Sequence, residues 1–421
     1  MRPLHRPSPT MGRELRSCEA AVAYDLVVVG GGIAGASLAK RMAESGARIV
    51  VIERETEFRD RIRGECLVPW GVGEARQLGV ADVLQNCSNE LRWVQLSIDG
   101  QVAMKRDLPA TTPQSAGMWG FYHPQAQEAL LRAAAKAGAE VRRGATVRRI
   151  VPGAKPKVEV AQDNGNAEEL EGRLVAYCAG RNPALRTELG FEPRRDAIPL
   201  LLSGIWVKEL PAEVDTSVAY LANDLTNGSV SALFSQPDGK ARAYFGFHQQ
   251  KCERIQGEAS FARFREEFER GAQDTIPFGA SKPCGPLASF ECADVWVDHP
   301  YRGGVALVGD AAASSDPCWG QGLSLALRDA RVLSEELLGN KDYAAAGERY
   351  AHRHDQHYGT IHTVSGWFHD IYQRLGPEAE ARRDRALPLL AQDPTRFPDH
   401  LYSGPDLPMA ADARARFFGE C

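Results

Sequence analysis

The 421-residue sequence lacks the features that mark membrane, nucleic-acid-binding and repeat proteins. No stretch approaches the run of about 20 apolar residues that spans a bilayer. The formal net charge is -5 at pH 7, so no excess of basic side chains is available for a phosphate backbone. Neither an internal repeat nor a low-complexity segment occurs. We therefore expect no integral membrane segment and no nucleic-acid partner.

Disulfide, metal and hydrolase motifs are also missing. The nine cysteines form no C-x-x-C pair and are scattered along the chain, which indicates free thiols in a reducing cytoplasm. Half of the ten histidines fall between residues 352 and 369, but no H-E-x-x-H motif or carboxylate pattern accompanies them. We expect these histidines to be packed or exposed, with no metal site. The absence of G-x-S-x-G argues against a serine hydrolase.

The composition is that of an average globular protein, and the patterned part of the chain begins with a strand, a helix and a second strand. Residues 24–30 (YDLVVVG) are a short β-branched apolar run of the kind that is buried on both faces of a parallel sheet. A helix follows, with Ala34 and Met42 on one face, and ends at Gly46. Residues 48–52 form the second such run. The pattern predicts a parallel βαβ unit of about thirty residues.

A glycine-rich turn joins the first strand to this helix. It reads Gly30-Gly31-Gly32-Ile33-Ala34-Gly35 and satisfies G-x-G-x-x-G, in which small residues let a helix N-terminus approach a diphosphate. Glu53 ends the second strand, where a carboxylate can accept hydrogen bonds from ribose hydroxyls, and Arg54 adjoins it. The spacing predicts a dinucleotide site that comprises Gly30, Gly32, Ile33, Ala34, Gly35, Glu53 and Arg54.

A second strand, glycine loop and helix occur near residue 310. Asp310 ends a buried strand, and the loop that follows contains Pro317 and Gly320 before a helix begins at Gly322 and Leu323. A carboxylate and a helix terminus are thus placed side by side. On these residues alone, the segment is either a second ligand-binding element or a capped strand-loop-helix junction.

The Gly-Asp-Ala-Ala sequence at 309–312, the downstream P-x-x-G-x-G and an Asp-Ala pair in the following helix resemble the second FAD motif of the para-hydroxybenzoate hydroxylase superfamily. The resemblance covers residues 24–185 and 290–340. It implies that Asp310 binds the ribityl chain of FAD and that Pro317 packs near the isoalloxazine. It also implies that Gly322 and Leu323 lie by the pyrimidine edge of the flavin.

Two departures from the superfamily pattern affect the cofactor site. The middle motif, which usually reads Ala-Asp-Gly, is Cys178-Ala179-Gly180, with Arg186 in the place of the following arginine. The flavin-contacting arginine at the start of the middle helix is replaced by His123, whose ring can still donate a hydrogen bond. We expect Gly180 and His123 to contact FAD, and the role of the missing Asp is left open.

The segment Arg63-Gly64-Glu65-Cys66-Leu67-Val68-Pro69 resembles the G-E-x-x-x-P element of flavin-dependent halogenases, and Arg63 is included among the cofactor-binding residues. Residues 178–181 are similar to the middle motif of halogenases and geranylgeranyl reductases. However, the halogenase lysine, four residues after the proline, falls on Gly73, and no W-x-W-x-I-P element occurs. Glu65 is either a functional carboxylate or a solvent-facing or helix-capping one.

These patterns predict an α/β fold: a discontinuous Rossmann-type FAD-binding domain, an antiparallel-sheet substrate domain and a helical C-terminal region. In the strand-rich stretch at 196–247, we expect side chains near Phe234, Tyr244 and Phe247 to face a substrate pocket. The predicted boundaries are a flexible leader (1–22), the first part of the FAD-binding domain (23–190), the substrate domain (191–290), the second part of the FAD-binding domain (291–340) and the C-terminal region (341–421).

The resemblance implies a single-component FAD-dependent monooxygenase that takes electrons from NADH or NADPH. With O2 it would hydroxylate or epoxidise an aromatic or apolar small molecule through a flavin hydroperoxide. Because the cofactor carries this chemistry, no catalytic side chain is assigned. The alternatives are a geranylgeranyl-reductase-like or dehydrogenating flavoenzyme, a flavin-dependent halogenase and a non-catalytic flavin-binding protein.

Overall fold

A computed structural model describes residues 24–62, 64–161, 167–197 and 200–421. The predicted leader at 1–22 and the predicted cofactor residue Arg63 lie outside the described residues. The described helices are α1 (Ile33–Glu44), α2 (Pro69–Leu78), α3 (Ala81–Gln85), α4 (Leu108–Thr111), α5 (His123–Lys136), α6 (Pro183–Glu188), α7 (Phe261–Ala272), α8 (Gly322–Gly339), α9 (Tyr343–Tyr372), α10 (Pro377–Gln392), α11 (His400–Ser403) and α12 (Ala413–Phe417).

The strands are short and numerous, and most of them belong to two large sheets. They are β1 (Tyr24–Val29), β2 (Ile49–Glu53), β3 (Cys66–Leu67), β4 (Ser88–Leu91), β5 (Trp93–Ile98), β6 (Gln101–Asp107), β7 (Met118–Phe121), β8 (Glu140–Arg143), β9 (Val147–Val151), β10 (Lys157–Ala161), β11 (Ala167–Tyr177), β12 (Pro193–Arg195), β13 (Leu200–Lys208), β14 (Val218–Asp224), β15 (Ser229–Gln236), β16 (Lys240–His248), β17 (Lys282–Pro283), β18 (Ala288–Cys292), β19 (Val295–Val297), β20 (Tyr301–Arg302), β21 (Val305–Leu307) and β22 (Ala313–Ser314).

The first sheet has a parallel centre in the order β21-β11-β1-β2-β8. β1 is buried almost throughout because it lies in the middle of the sheet with helices against it. α1 connects β1 to β2, as the βαβ pattern predicted. β21 begins about 280 residues after β1 in the sequence, yet it pairs with β11 in the same sheet. The α/β fold with a discontinuous Rossmann-type domain is therefore confirmed.

The second sheet runs β17-β13-β16-β15-β14-β5-β6, and β15 and β16 form a hairpin. Its pairs are antiparallel except for β14 with β5, which is parallel. β5 and β6 lie within residues 23–190, which the sequence assigned to the FAD-binding domain, so the structure places part of that range in the other sheet. The reason is that β5 completes the open edge of β14, a pairing with no local sequence signal.

The C-terminal region is mainly helical, as expected, and α9 runs for 30 residues along α8. α10, α11 and α12 then fold back toward the rest of the chain, and Phe417 and Phe418 are buried against the end of α9. Within the described ranges, no helix combines the length and apolar composition needed to cross a lipid bilayer.

Candidate functional site

A cavity of about 1540 Å³ lies between the two large sheets and extends to the C-terminal region. Pockets for drug-sized ligands have volumes of about 300 to 1,000 Å³, so this cavity has room for a dinucleotide and a second molecule. The predicted cofactor residues that line it are Gly30, Gly32, Ile33, Ala34, Glu53, Arg54, His123, Gly180, Asp310, Pro317, Gly320, Gly322 and Leu323. Their contact with FAD stays a prediction.

In the glycine-rich turn, Gly30, Gly32 and Gly35 lack a Cβ for different structural reasons. Gly30 has φ of +104°, and a Cβ there would lie 2.6 Å from the carbonyl oxygen of Cys178. Gly35 does not line the cavity; a Cβ on it would lie 2.0 Å from the carbonyl oxygen of Gly30, so glycine lets α1 pack onto the turn. A Cβ on Gly32 would meet only Gln127 Nε2, at 3.5 Å. Gly32 therefore leaves open space for a ligand at the N-terminus of α1.

Glu53 lies at the carboxyl end of β2 and is 7% exposed. Its carboxylate accepts hydrogen bonds from the backbone N–H of Gly31 at 2.7 Å and of Glu55 at 2.8 Å. Each carboxylate oxygen can accept a further hydrogen bond, so the side chain both fixes the turn and faces the cavity. Arg54 is more exposed and pairs with Glu55.

Asp310 lies in a 3₁₀ turn after β21 and accepts a hydrogen bond from Arg181 Nε at 3.3 Å. Arg181, in the middle motif, lines the cavity beside Gly180, which has φ of +65°. The pair joins the two halves of the FAD-binding domain at one point. The sequence motif contained Arg181 but gave no indication of this partner, since the two residues are 129 positions apart.

A buried carboxylate supports the turn that carries Asp310. Asp329 on α8 accepts the N–H of Gly309 at 2.9 Å, and its other oxygen contacts His354 Nδ1 and His357 Nε2, each at 2.9 Å. Burial alone would raise the pKa of Asp329, but the charges and hydrogen bonds of these histidines lower it well below its usual value. The expectation of packed or exposed histidines missed this carboxylate because it lies on another helix.

The loop from 315 to 321 forms the cavity wall next to α8. Gln321 is fully buried and accepts a hydrogen bond from Trp70 Nε1 at 2.9 Å, while its amide donates to the carbonyl oxygens of Trp319 and Leu401. This side chain ties α2, the loop and the C-terminal region together. It fixes the position of Pro317, Gly320 and the first turn of α8 around the cavity.

His123, which departs from the superfamily pattern, and Arg186, the arginine that the middle motif keeps, have different positions. His123 is the first residue of α5, lines the cavity, and its Nδ1 lies 2.7 Å from the carbonyl oxygen of Gly64. Arg186 is 5% exposed and donates to the carbonyl oxygen of Ala311, and it is not among the residues that line the cavity. Burial lowers the pKa of Arg186. Arg186 therefore supports the turn at Asp310 from behind.

Glu65 is not solvent-facing, which corrects one of the readings offered by the sequence. It is 2% exposed and forms a two-pronged ion pair with Arg242 on β16, whose guanidinium also contacts Asp60 at 2.9 Å. Burial raises the pKa of Glu65 to about 7, against the opposing charge of Arg242. The sequence pattern does not indicate that Glu65 pairs with Arg242, because the two residues are 177 positions apart. The pair fastens the loop before β3 to the second sheet.

The inner face of the second sheet forms an apolar wall of the cavity. Phe234 and Tyr244 line it, as expected, but Phe247 packs on the opposite face with Phe264 and Phe268 of α7. The expectation for Phe247 was wrong because residues separated by an odd number lie on opposite faces of a regular strand. The C-terminal region adds aromatic lining that the sequence did not predict, namely Phe368, Tyr372, Phe397 and Tyr402.

Replacing Asp310 by alanine is expected to weaken FAD binding about ten- to a hundredfold without unfolding the protein, because a hydrogen bond to a charged group contributes about 1.5 to 3 kcal/mol. The measurement is FAD retained after dialysis. Asp298→Ala, which removes an exposed aspartate paired with Arg194, is the matched control. Equal FAD retention in the Asp310 variant and the wild type would show that Asp310 only ends the strand.

The FAD binding domain family matches residues 23–352 of this chain. Squalene monooxygenase from Eremothecium gossypii is 38% identical over 74 residues, which are 18% of this chain and only 15% of that protein. Rifampicin monooxygenase from Streptomyces venezuelae is 26% identical over 76% of this chain and 65% of its own. Digeranylgeranylglycerophospholipid reductase 2 from Methanopyrus kandleri is 24% identical over 80% of this chain and 83% of its own.

Two solved structures share the fold at low sequence identity. The p-nitrophenol 4-monooxygenase of Pseudomonas putida superposes with a TM-score of 0.76 and 19% identity, over 90% of this chain and 96% of that chain. A flavin-dependent brominase superposes with a TM-score of 0.70 and 16% identity, over 91% of this chain and 96% of that chain. Monooxygenases, a halogenase and a reductase thus all resemble the chain, and the fold does not choose among them.

Proposed function

Since the chain belongs to the FAD binding domain family, we propose that it is an FAD-dependent monooxygenase that uses NADH or NADPH and O2 to hydroxylate or epoxidise an aromatic or apolar small molecule. The observation that carries the proposal is the shape of the cavity: the space beside Gly32, Glu53 and Asp310 continues into an apolar compartment. When bound, FAD would supply the electron transfer and oxygen chemistry.

The residues present suit FAD in this cavity. The missing Cβ of Gly32 leaves a cradle at the N-terminus of α1 for the diphosphate. Glu53 would accept from the ribose hydroxyls, and Asp310 from the ribityl chain. His123 and the loop at Pro317 would border the flavin ring.

Side chains of the second sheet and the C-terminal region form the substrate compartment. Apolar side chains exclude water from the reacting atoms and hold the substrate by burial rather than by charge. The side chains of this compartment are Leu202, Leu221, Val230, Ala232, Phe234, Phe290, Phe368 and Phe397. Tyr244 lies among them and offers a hydroxyl for orienting a polar group.

Halogenation is the weaker alternative because the lysine that the halogenase resemblance requires is absent. Gly73 on α2 stands at that position and packs against Gln114 rather than lining the cavity. Of the described residues that line the cavity, one is a lysine, Lys105, which is exposed on β6 with its ammonium 5.7 Å from the ring centroid of Trp93. A reductase of the geranylgeranyl-reductase kind remains the second candidate. The digeranylgeranylglycerophospholipid reductase favours it, because that protein is 24% identical to this chain over 83% of its own length.

The test is the mass of the product formed under oxygen-18 gas with chloride and bromide present. Candidate substrates are first screened by stimulation of NADH or NADPH oxidation, with p-nitrophenol and apolar phenols in the panel. We expect a product with one labelled oxygen, and an unlabelled one when the label is in water instead. A halogenated product would support the halogenase alternative. A mass change of two hydrogens without label would support the reductase.

A further inference from the structure

Three side chains that the FAD site does not use converge behind the loop at Pro317. Cys292 ends β18, while Asp316 and Cys318 flank the proline. The two sulfur atoms are 3.7 Å apart, and one ligand atom from each of the three residues lies within 4.8 Å of the others. Cys292 is fully buried and Asp316 is 1% exposed, whereas Cys318 lines the cavity.

The separation of the sulfur atoms suits a tetrahedral metal ion. Zinc binds thiolate sulfur at about 2.3 Å, and a tetrahedral angle then places two such sulfurs about 3.75 Å apart. The observed separation of 3.7 Å agrees with this value. A disulfide would need the sulfurs at about 2.05 Å, so Cys292 and Cys318 would have to move toward each other to form one.

The carboxylate of Asp316 supplies an independent reason to expect a cation. One oxygen accepts the N–H of Cys318 at 2.9 Å, but the other, Oδ2, is buried without a hydrogen-bond partner among the described residues. A buried carboxylate oxygen with no donor is costly. Asp294, whose carboxylate accepts the N–H of Asp316 at 3.1 Å, adds acceptor oxygens rather than donors. A metal ion would satisfy the unpaired oxygen.

Two other clusters of possible metal ligands are less suitable. In one, the oxygens of Asp329 already accept from Gly309, His354 and His357, so its carboxylate has its partners. In the other, His362 and Asp196 are part-exposed and bonded to each other at 2.7 Å. The cluster at 292, 316 and 318 alone combines two thiols with an unpaired buried oxygen among the described groups.

We propose that Cys292, Asp316 and Cys318 bind one thiophilic divalent cation, represented by zinc. Two thiolates and one carboxylate make three protein ligands, and the fourth position opens toward the cavity through Cys318. The sequence expectation of no metal site rested on the histidines at 352–369, which have no H-E-x-x-H motif or carboxylate pattern, and the scattered cysteines were expected to be free thiols. Here the thiols are 26 residues apart and meet because β18 ends beside the loop.

The experiment uses the full-length, FAD-loaded protein kept reduced with a phosphine. Zinc is added, unbound metal is removed by gel filtration, and bound zinc is measured by mass spectrometry. We expect one zinc per chain. Cys292→Ser and Cys318→Ser should each lower the affinity at least tenfold, since loss of even an outer partner costs about 10- to 100-fold. Asp316→Asn should also lower the affinity for zinc.

Cys87→Ser is the matched control, because Cys87 is another buried thiol, whose sulfur donates to the carbonyl oxygen of Val83, and it is not part of this cluster. It should bind zinc as the wild type does. FAD absorbance and melting temperature show whether each variant is folded. If a cysteine variant fails to fold, alkylation of the wild type replaces it: zinc should protect Cys318 from a maleimide and leave Cys252 reactive.

Equal zinc affinity in the wild type and both folded cysteine variants would overturn the proposal. So would the absence of bound zinc in the wild type, or unchanged alkylation of Cys318 in its presence. A peptide that links Cys292 to Cys318 in the reduced protein would also overturn it, because the pair would then be a disulfide.

Discussion

Gly32→Ala is expected to lower the affinity for FAD by at least about a hundredfold, which corresponds to about 2.8 kcal/mol. The new methyl group would meet no protein atom closer than Gln127 Nε2 at 3.5 Å, so the fold has room for it. It would point instead into the space where the diphosphate approaches the N-terminus of α1. The backbone at Gly32 has φ of -68°, which alanine adopts without strain.

The measurement is a titration of the FAD-free protein with FAD, followed by flavin fluorescence, together with the melting temperature of the FAD-free form. Gly359→Ala on α9 is the control, because a Cβ there would have no neighbour within 4 Å. It should leave FAD binding unchanged. Retention of wild-type FAD affinity by Gly32→Ala would place the diphosphate elsewhere in the cavity. A large fall in melting temperature would instead mean that the residue is structural.

Arg242→Met is expected to destabilise the protein by about 3 to 5 kcal/mol, because it leaves the buried carboxylate of Glu65 without its charge partner. Arg242 has no exposed surface, and its guanidinium also contacts Asp60. The measurement is the free energy of unfolding in urea. The double variant Glu65→Gln/Arg242→Met should lose less stability than Arg242→Met alone, because the glutamine carries no charge. Arg132→Met, at an exposed arginine, should change stability by less than about 0.5 kcal/mol.

The loss in Arg242→Met should grow as pH rises from about 7 to about 9, because Glu65 ionises there beside Arg242 in the wild type while Glu65 of the variant still holds its proton. Burial raises the pKa of Glu65 to about 7 even with Arg242 present, and removing that positive charge raises the pKa further. A carboxyl whose folded-state pKa lies above its unfolded value stabilises the fold below the unfolded pKa, and this contribution is lost as pH rises through the folded pKa. A stability loss that is constant across this pH range would show that Glu65 is not the group left unpaired.

Features that depend on neighbouring residues in the chain were accessible from the sequence. The turn at Gly30 and Gly35 follows from sterics between residues a few positions apart, and the βαβ spacing follows from the lengths of one helix and two strands. The strand, loop and helix around Asp310 were equally local. For this reason the sequence predicted the FAD-binding fold and most of the residues that line this side of the cavity, while their contact with FAD stays a prediction.

Features that depend on which elements become neighbours in space were decided only by the tertiary structure. Glu65 meets Arg242 because the loop before β3 crosses the second sheet, and Asp329 meets two histidines because α8 lies along α9. The aromatic residues of the C-terminal region reach the cavity because that region folds back over it. Hydrophobic periodicity specifies the buried face of an element but not its partner, so contacts between distant residues leave no spacing in the sequence to recognise.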